Sequence, residues 1–271
     1  MITVDQALAD LFALVSVAEA ETVPLRAANG RVLAQSVTAT RDQPPFAASA
    51  MDGYAVSGAS ISAGKTFAVI GEAAAGHRWD GTVGPDQAVR IFTGAPLPAG
   101  TDHVIIQENV TRDGDLITLD SSPNDQPYVR PAGADFKQGD QITAPRVLRP
   151  SDIALFAAMN VPNVQVTRQP VVAIIATGDE LVQPGETPKD DQIIASNSYG
   201  LASLIEEFGA QARMLPIARD NTASLELAFD LAADADLIVT IGGASVGDHD
   251  LVGQVAQAKG MNRAFYKVAM R

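Results

Sequence analysis

The sequence contains no cysteine in its 271 residues. Disulfides and thiolate-bound metals are therefore excluded. Histidine is almost absent as well: His77, His103 and His249 stand at scattered positions. Each reads as a structural or solvated residue, and no nucleophile–histidine–acid arrangement is visible. No apolar run approaches the ~20 residues of a spanning helix, so no membrane partner is expected. The N-terminus lacks a basic segment followed by a long apolar one, which argues against a secretory leader and for a cytoplasmic location. Positive charge is scarce, with 19 Lys and Arg against 32 Asp and Glu, a net charge of −13. That balance argues against a general nucleic-acid binder and against an anionic membrane surface. Neither a Walker loop nor a complete dinucleotide fingerprint occurs, and there are no internal repeats or low-complexity segments.

What is present is the composition of an ordinary globular protein, 46% hydrophobic and 19% charged, long enough for about two domains. Thr3-Val-Asp-Gln6 has capping-box spacing and opens an amphipathic helix expected to end near Ser16. Short extended pieces flank an Asn29-Gly30 turn. Residues 41–56 read as a loop entering a hairpin, with Pro44 and Pro45 preventing a regular element and Asp52-Gly53 as a turn signal. From Lys65 to about Thr143 the chain looks all-β, with apolar runs at 67–70, 88–92, 103–106 and 116–119 between glycines and prolines. Leu148 to Met159 reads as a helix with Ser151 as N-cap and Asn160 as terminator.

At Pro170 the pattern changes. Val171–Ala176 is a continuous apolar run, as in a buried parallel strand. A helix is expected over 197–208 with Gly209 as its stop. A strand at 213–217 follows, then a helix at 225–231 with Asp220 and Asn221 as caps. The stretch Asp236-Leu-Ile-Val-Thr-Ile-Gly-Gly-Ala-Ser-Val-Gly-Asp-His-Asp250 reads as strand, glycine loop and helix N-terminus. A short helix and a strand around 265–269 complete a β-α alternation, which means a parallel sheet. In such sheets ligands sit beyond the carboxyl ends of the strands. Three strand ends deliver acids there: Asp179 and Glu180, then Asp220, then Asp248 and Asp250. The plain alternative is that these acids are helix caps. Thr177-Gly178 and Gly242-Gly243 add loops suited to phosphate. Together they suggest a pocket for a phosphorylated ligand with an oxygen-bound divalent cation.

Four stretches together carry a family resemblance: Pro45-Phe-Ala-Ala-Ser-Ala-Met-Asp-Gly-Tyr-Ala55, Ile91-Phe-Thr-Gly-Ala-Pro-Leu-Pro-Ala-Gly100, Ala176-Thr-Gly-Asp-Glu-Leu181 and Thr240-Ile-Gly-Gly-Ala-Ser-Val-Gly-Asp-His-Asp250. In this order they resemble the molybdenum insertases, also called molybdopterin molybdenumtransferases, relatives of the gephyrin C-terminal domain. The resemblance implies an enzyme of molybdenum cofactor biosynthesis that takes adenylylated molybdopterin and molybdate, inserts the metal and releases AMP. It further implies a need for Mg2+ or another divalent cation, and a homodimer with a composite active site. A molybdopterin adenylyltransferase is the expected functional partner.

By the same resemblance the catalytic positions are Asp52, Thr93, Asp135, Glu180, Asp220 and Asp250, with Glu180, Asp220 and Asp250 as metal ligands. Thr177, Gly178, Gly242, Gly243 and Ser245 would bind the cofactor, and Arg130, Lys267 and Arg271 would attract molybdate or the pterin phosphate. Positioning and charge stabilisation would suffice for the phosphoanhydride chemistry, so no covalent enzyme intermediate is expected.

The implied fold is α/β plus β-rich. Residues 1–20 form a helix packing on the α/β domain. Residues 21–40 and 145–169 form a small mixed linker domain, 41–144 an inserted β-rich domain, and 170–271 an incomplete α/β molybdopterin- or nucleotide-binding domain. The sequence stops at Arg271 where the family continues with Pro-Gly-Lys-Pro and further elements. A C-terminally truncated chain with weak or no catalysis is therefore expected. Two other readings stand beside this one. A molybdopterin adenylyltransferase shares the α/β domain but lacks the segments at 45–55 and 91–100. A non-catalytic scaffold module, as in gephyrin's anchoring role, is disfavoured by the number of acids in the pocket.

Overall fold

The computed structural model describes residues 1–121, 126–242 and 250–270. The expected sites at Gly243, Ser245 and Arg271, together with Asp248 and His249, lie outside the described residues. The fold is mixed α/β and rich in strands. Two compact units divide the chain. One comprises Met1–Val23, Gly30–Ala34 and Gln165–Arg271, the other Pro24–Asn29 and Gln35–Val164.

In the first unit, Val171–Ala176 lies between Gln211–Met214 and Leu237–Ile241, and all three strands run parallel. A strand in the middle of a sheet with helices against it has no face for water, which is why its residues are apolar almost without interruption. Ala173 and Ile175 pack with Leu225, Phe229 and Val255, from the helices Thr222–Leu231 and Leu251–Ala258. The helix Ser196–Glu207 stops at Gly209, whose φ of 85° suits a residue without Cβ. Asn221, rather than Asp220, caps the helix at 222 and accepts from Ser224 N at 3.0 Å. At the amino ends of the strands, both Arg168 guanidinium nitrogens donate to Asp236, at 2.8 and 2.7 Å. Val171 N donates to the same carboxylate at 2.7 Å. These bonds, the arginine's first, hold the Asp236 carboxyl far below the usual carboxylate range.

The N-terminal helix spans Val4–Leu14, shorter than expected, and Thr3 Oγ1 caps it by accepting from Gln6 N at 3.2 Å. The capping box is only half made, because the Gln6 side chain donates instead to Asp10 at 2.8 Å. The strand expected at 265–269 reduces to a single parallel bridge between Ile2 and Val268. Thr3 already caps the helix, so the pairing segment ends after Ile2.

In the second unit a six-stranded sheet has the order His103–Ile106, Gly53–Val56, Gln87–Ile91, Thr66–Ala73, Leu116–Leu119, Val110–Asp113. Both faces are covered. Tyr54, Val56, Phe67 and Ile117 form one core, and Ala55, Val89, Ile91 and Val104 the other. Alternate residues of one strand thus serve opposite cores. The hairpin expected within 41–56 does not form. Ala48–Ser49 pairs with Val129–Arg130, while Gly53–Val56 is inserted between two strands distant in sequence. Gly53 is therefore not a turn residue: a Cβ there would lie 2.0 Å from the Ile105 carbonyl oxygen. The helix Pro150–Ala158 is capped at Arg149 rather than at Ser151, because Pro150 occupies its first turn and Asp152 accepts from Arg149 N at 2.8 Å.

Two stability predictions follow from these contacts. Gly53→Ala is expected to destabilise the protein by roughly 3 kcal/mol, since a backbone carbonyl cannot move aside cheaply; chemical denaturation measures it. Asp236 has a depressed carboxyl pKa, so its contribution is present above the ordinary value of about 4 and is lost as pH falls through the depressed one. Asp236→Asn should melt at lower temperature than the wild type at neutral pH, with the gap closing on acidification. A gap independent of pH would contradict this.

Candidate functional site

In the β-rich unit, Asp52 leaves the sheet just before Gly53, and Thr93 just after the neighbouring strand Gln87–Ile91. Because Gly53 faces Ile91 across the antiparallel pair, the two loops emerge side by side. Asp52 Oδ1 accepts from Thr93 N at 2.8 Å and from Thr93 Oγ1 at 2.9 Å. Those two bonds are the main cause of a lowered Asp52 carboxyl pKa; Arg90 adds a smaller charge effect in the same direction, and partial burial opposes them. Thr93 and Gly94 line a cleft of about 460 Å³ together with Gln43, Pro45, Ser49 and Arg130.

Arg130 is ion-paired with Asp135, and both side chains remain substantially exposed. Backbone bonds fix this part of the wall: Asp135 N donates to Gln43 O at 2.8 Å, and Gly133 N to Pro44 O at 2.9 Å. Asp52 and Thr93 are thus brought together, as are Arg130 and Asp135, and one member of each pair, Thr93 and Arg130, lines the same cleft.

At the carboxyl edge of the parallel sheet the expected residues behave differently. Thr177 N donates to Ile241 O at 2.8 Å and Gly178 N to Ala218 O at 3.1 Å. These N–H groups extend the sheet ladder and are not free for a phosphate. Gly242 has a φ of 92°, and a Cβ on it would lie 2.5 Å from Thr177 O, so close packing accounts for this glycine. The Glu180 carboxylate sits over Gly178, where a Cβ would come within 2.4 Å of Oε2. Asp220 N donates to Asp179 Oδ1 at 3.3 Å, and Arg219 Nη1 donates to Asp179 O at 2.9 Å.

Asp250 is a helix cap. Its Oδ1 accepts from Gly253 N at 2.9 Å, and its Oδ2 accepts from Arg263 Nη2 at 3.1 Å. Asp250, Gly242 and Lys267 line a pocket of about 380 Å³ with Arg263 and Tyr266. Arg263 and Lys267 both lie over the Tyr266 ring, 4.6 and 5.2 Å from its centre.

The donor set expected for magnesium does not assemble. Among the described residues no group of three or more Asp, Glu or His is placed to hold a metal ion. Asp250 is committed to its helix and to a guanidinium, while Glu180 and Asp220 make no ion pair among the described residues. A three-carboxylate cage is therefore not what these side chains form.

Arg90, Arg219, Arg263 and Tyr266 were not expected at the site. Arg90 had a readable signal: it precedes the Thr93 loop by one strand alternation, on the same face as Phe92. Arg219 bonds to carbonyls about 40 positions away, while Arg263 and Tyr266 meet each other in a loop with no periodic pattern.

The comparisons with known proteins bear on the whole chain. Residues 2–160 match the family described as "MoeA N-terminal region (domain I and II)". Residues 173–271 match the "Probable molybdopterin binding domain". A molybdopterin molybdenumtransferase of Nostoc sp. is 38% identical over 93% of this chain and 60% of its own length. Its counterpart in Haemophilus influenzae is 35% identical over 100% of this chain and 68% of its own. A crystal structure of a molybdopterin biosynthesis MoeA protein from Pyrococcus horikosii superimposes with a TM-score of 0.81 at 30% identity, covering 95% of this chain and 66% of that one. The chain thus spans about three-fifths to two-thirds of the length of the relatives it matches.

The cap at Asp250 can be separated from its charge. Asn caps about as well as Asp, so Asp250→Asn should leave the following helix intact, whereas Asp250→Ala should cost roughly 1 kcal/mol. Denaturation of the two variants checks this, and equal losses would show that the ion pair to Arg263, not the cap, is what matters.

Proposed function

This chain belongs to the MoeA family, and on that footing we propose that it acts as a molybdopterin molybdenumtransferase, inserting molybdate into adenylylated molybdopterin with release of AMP. The observation that carries the reading is the cleft of the β-rich unit lined by Thr93 and Arg130, with Asp52 hydrogen-bonded to Thr93. Arg130 supplies a partly exposed guanidinium, the side chain best matched to a tetrahedral oxyanion. Its partner Asp135 keeps it in place without burying it. The Thr93 hydroxyl hydrogen is directed at Asp52. Its oxygen lone pairs are therefore turned outward, and Thr93 offers an acceptor to a ligand N–H or O–H. Asp52 Oδ1 takes both Thr93 bonds, which leaves Oδ2 for the reacting partner.

On this reading the parallel-sheet unit receives the nucleotide and pterin. Lys267 and Arg263 bring positive charge to the pocket beside Gly242. Glu180 and Asp220 hold the carboxylates open to a divalent cation. Magnesium commonly binds through one or two carboxylates with the remaining places taken by water and substrate phosphate. A cytoplasmic homodimer, supplied with adenylylated pterin by a molybdopterin adenylyltransferase, completes the proposal.

The test is to incubate the protein with adenylylated molybdopterin, molybdate and magnesium and follow AMP by chromatography. Weak molybdate-dependent AMP release is expected, with kcat falling by about a hundredfold or more in Asp52→Asn. Binding of the adenylylated pterin without any AMP release would refute the assignment, and consumption of ATP would replace it with adenylyl transfer.

A further inference from the structure

Arg90 is the most constrained cation of the β-rich unit. It stands opposite Tyr54 on the neighbouring strand, and its guanidinium lies 5.0 Å from the Tyr54 ring centre and 4.7 Å from that of Phe92. Nη1 donates to Gly53 O at 3.2 Å, and Nη2 donates to Gln107 Oε1 at 2.6 Å. Gln107 in turn donates its backbone N–H to Asp52 O at 3.1 Å. One planar group therefore ties down the carbonyl of the residue after Asp52 directly. Through Gln107 it also ties down the carbonyl of Asp52 itself. Phe92, against which it stacks, immediately precedes Thr93. The two partners of the Asp52–Thr93 pair are thus framed by a single side chain that faces neither of their reactive oxygens.

We infer that Arg90 is a positioning residue that fixes the Asp52–Thr93 pair in the orientation the site requires. The inference rests on the proposed role of that pair, but its physical content can be measured without the reaction. The planar two-pronged geometry, not the charge alone, is what serves, and a lysine cannot reproduce it. The charged and titratable groups around Arg90 are Asp52, Tyr54, Glu72 opposite it on the Thr66–Ala73 strand, and Glu108, which accepts from Gln107 Nε2 at 3.1 Å. Among them Asp52 is the group whose carboxyl pKa is depressed with Arg90 contributing. Loss of Arg90 lets that pKa rise towards its usual value, so Asp52 takes up its proton at a higher pH.

The experiment is a carbon-detected NMR titration of the Asp52 carboxyl in the wild type and in Arg90→Met, Arg90→Lys, Gln107→Ala and Glu72→Gln, with melting temperature as the check on folding. The Asp52 midpoint is expected to move upward in Arg90→Met, and by less in Arg90→Lys and Gln107→Ala. Glu72→Gln should leave it in place. In AMP release, kcat should fall by roughly ten- to a hundredfold with KM little changed, as for a misplaced catalytic geometry. The acid limb of the pH profile should shift to higher pH in the same order of variants.

An unchanged Asp52 midpoint in folded Arg90 variants overturns the inference, as does a downward shift of equal size from Glu72→Gln, which would make the effect a general field. If neither Arg90 variant folds, Gln107→Ala decides by the same criterion. Because the titration needs no substrate, a shifted midpoint without any AMP release would refute the proposed function and leave the positioning role standing.

Discussion

The approach of the Ile105 carbonyl to Gly53 sets the geometry of the β-rich unit. A Cβ at position 53 would lie 2.0 Å from that oxygen, so only glycine lets the Gly53–Val56 strand enter between His103–Ile106 and Gln87–Ile91. Once it is inserted, Gly53 pairs with Ile91 on one side and with Ile106 on the other. The residue before it and the residues after Ile91 then leave the sheet together. Asp52 and Thr93, separated by 41 positions, come within hydrogen-bonding reach for this reason. The same register sets Arg90 opposite Tyr54. Local propensity does not produce this arrangement; the close passage of one backbone past another does.

Electrostatics follow a related pattern. The chain carries −13, and the proposed ligands are anions, which first suggests that a bound cation must offset the acids. The side chains describe a different solution for part of the problem. Asp250 is matched by Arg263, Asp135 by Arg130, and Asp236 by Arg168. Arg219 lies along the Asp179 and Leu181 carbonyls, donating to them at 2.9 and 3.3 Å. The scarce arginines are concentrated where acids and strand ends accumulate. Glu180 and Asp220 are left outside this matching among the described residues.

Much of the fold was legible in the residues because its signals are local. Val171–Ala176 declares a buried strand by its apolar run, His103–Ile106 is bounded by turn residues, and Asn160 ends its helix in the left-handed region with a φ of 62°. The misreadings came where a distant partner decides. Residues 41–56 contain proline and an Asp-Gly pair, the local marks of a turn, yet their strand pairs with segments some 35 to 50 positions away. Thr177-Gly178 and Gly242 look like a phosphate loop until their N–H groups and Cα positions are seen to serve sheet packing. Asp52, Thr93, Arg130 and Asp135 are singled out by motif as candidates. Their pairing is not, because a hydrogen bond between two loops leaves no periodic trace in sequence.

Asp52 and Asp250 show why residue type alone ranks a site poorly. Both are aspartates at a glycine-containing loop, and both accept two hydrogen bonds. Asp250 divides them between its oxygens, one to the helix N-terminus and one to Arg263. It is thereby satisfied as a structural group, and a ligand or cation must displace a partner to reach it. Asp52 takes both bonds on a single oxygen, from a single residue. Its negative charge is stabilised while, among the described residues, its second oxygen takes no hydrogen bond. A carboxylate held in that manner is oriented without being saturated, which is the condition a reacting group needs and a cap does not. Under the proposed function the chemistry therefore falls to Asp52 and its frame, while Asp250 caps the helix beside its own pocket.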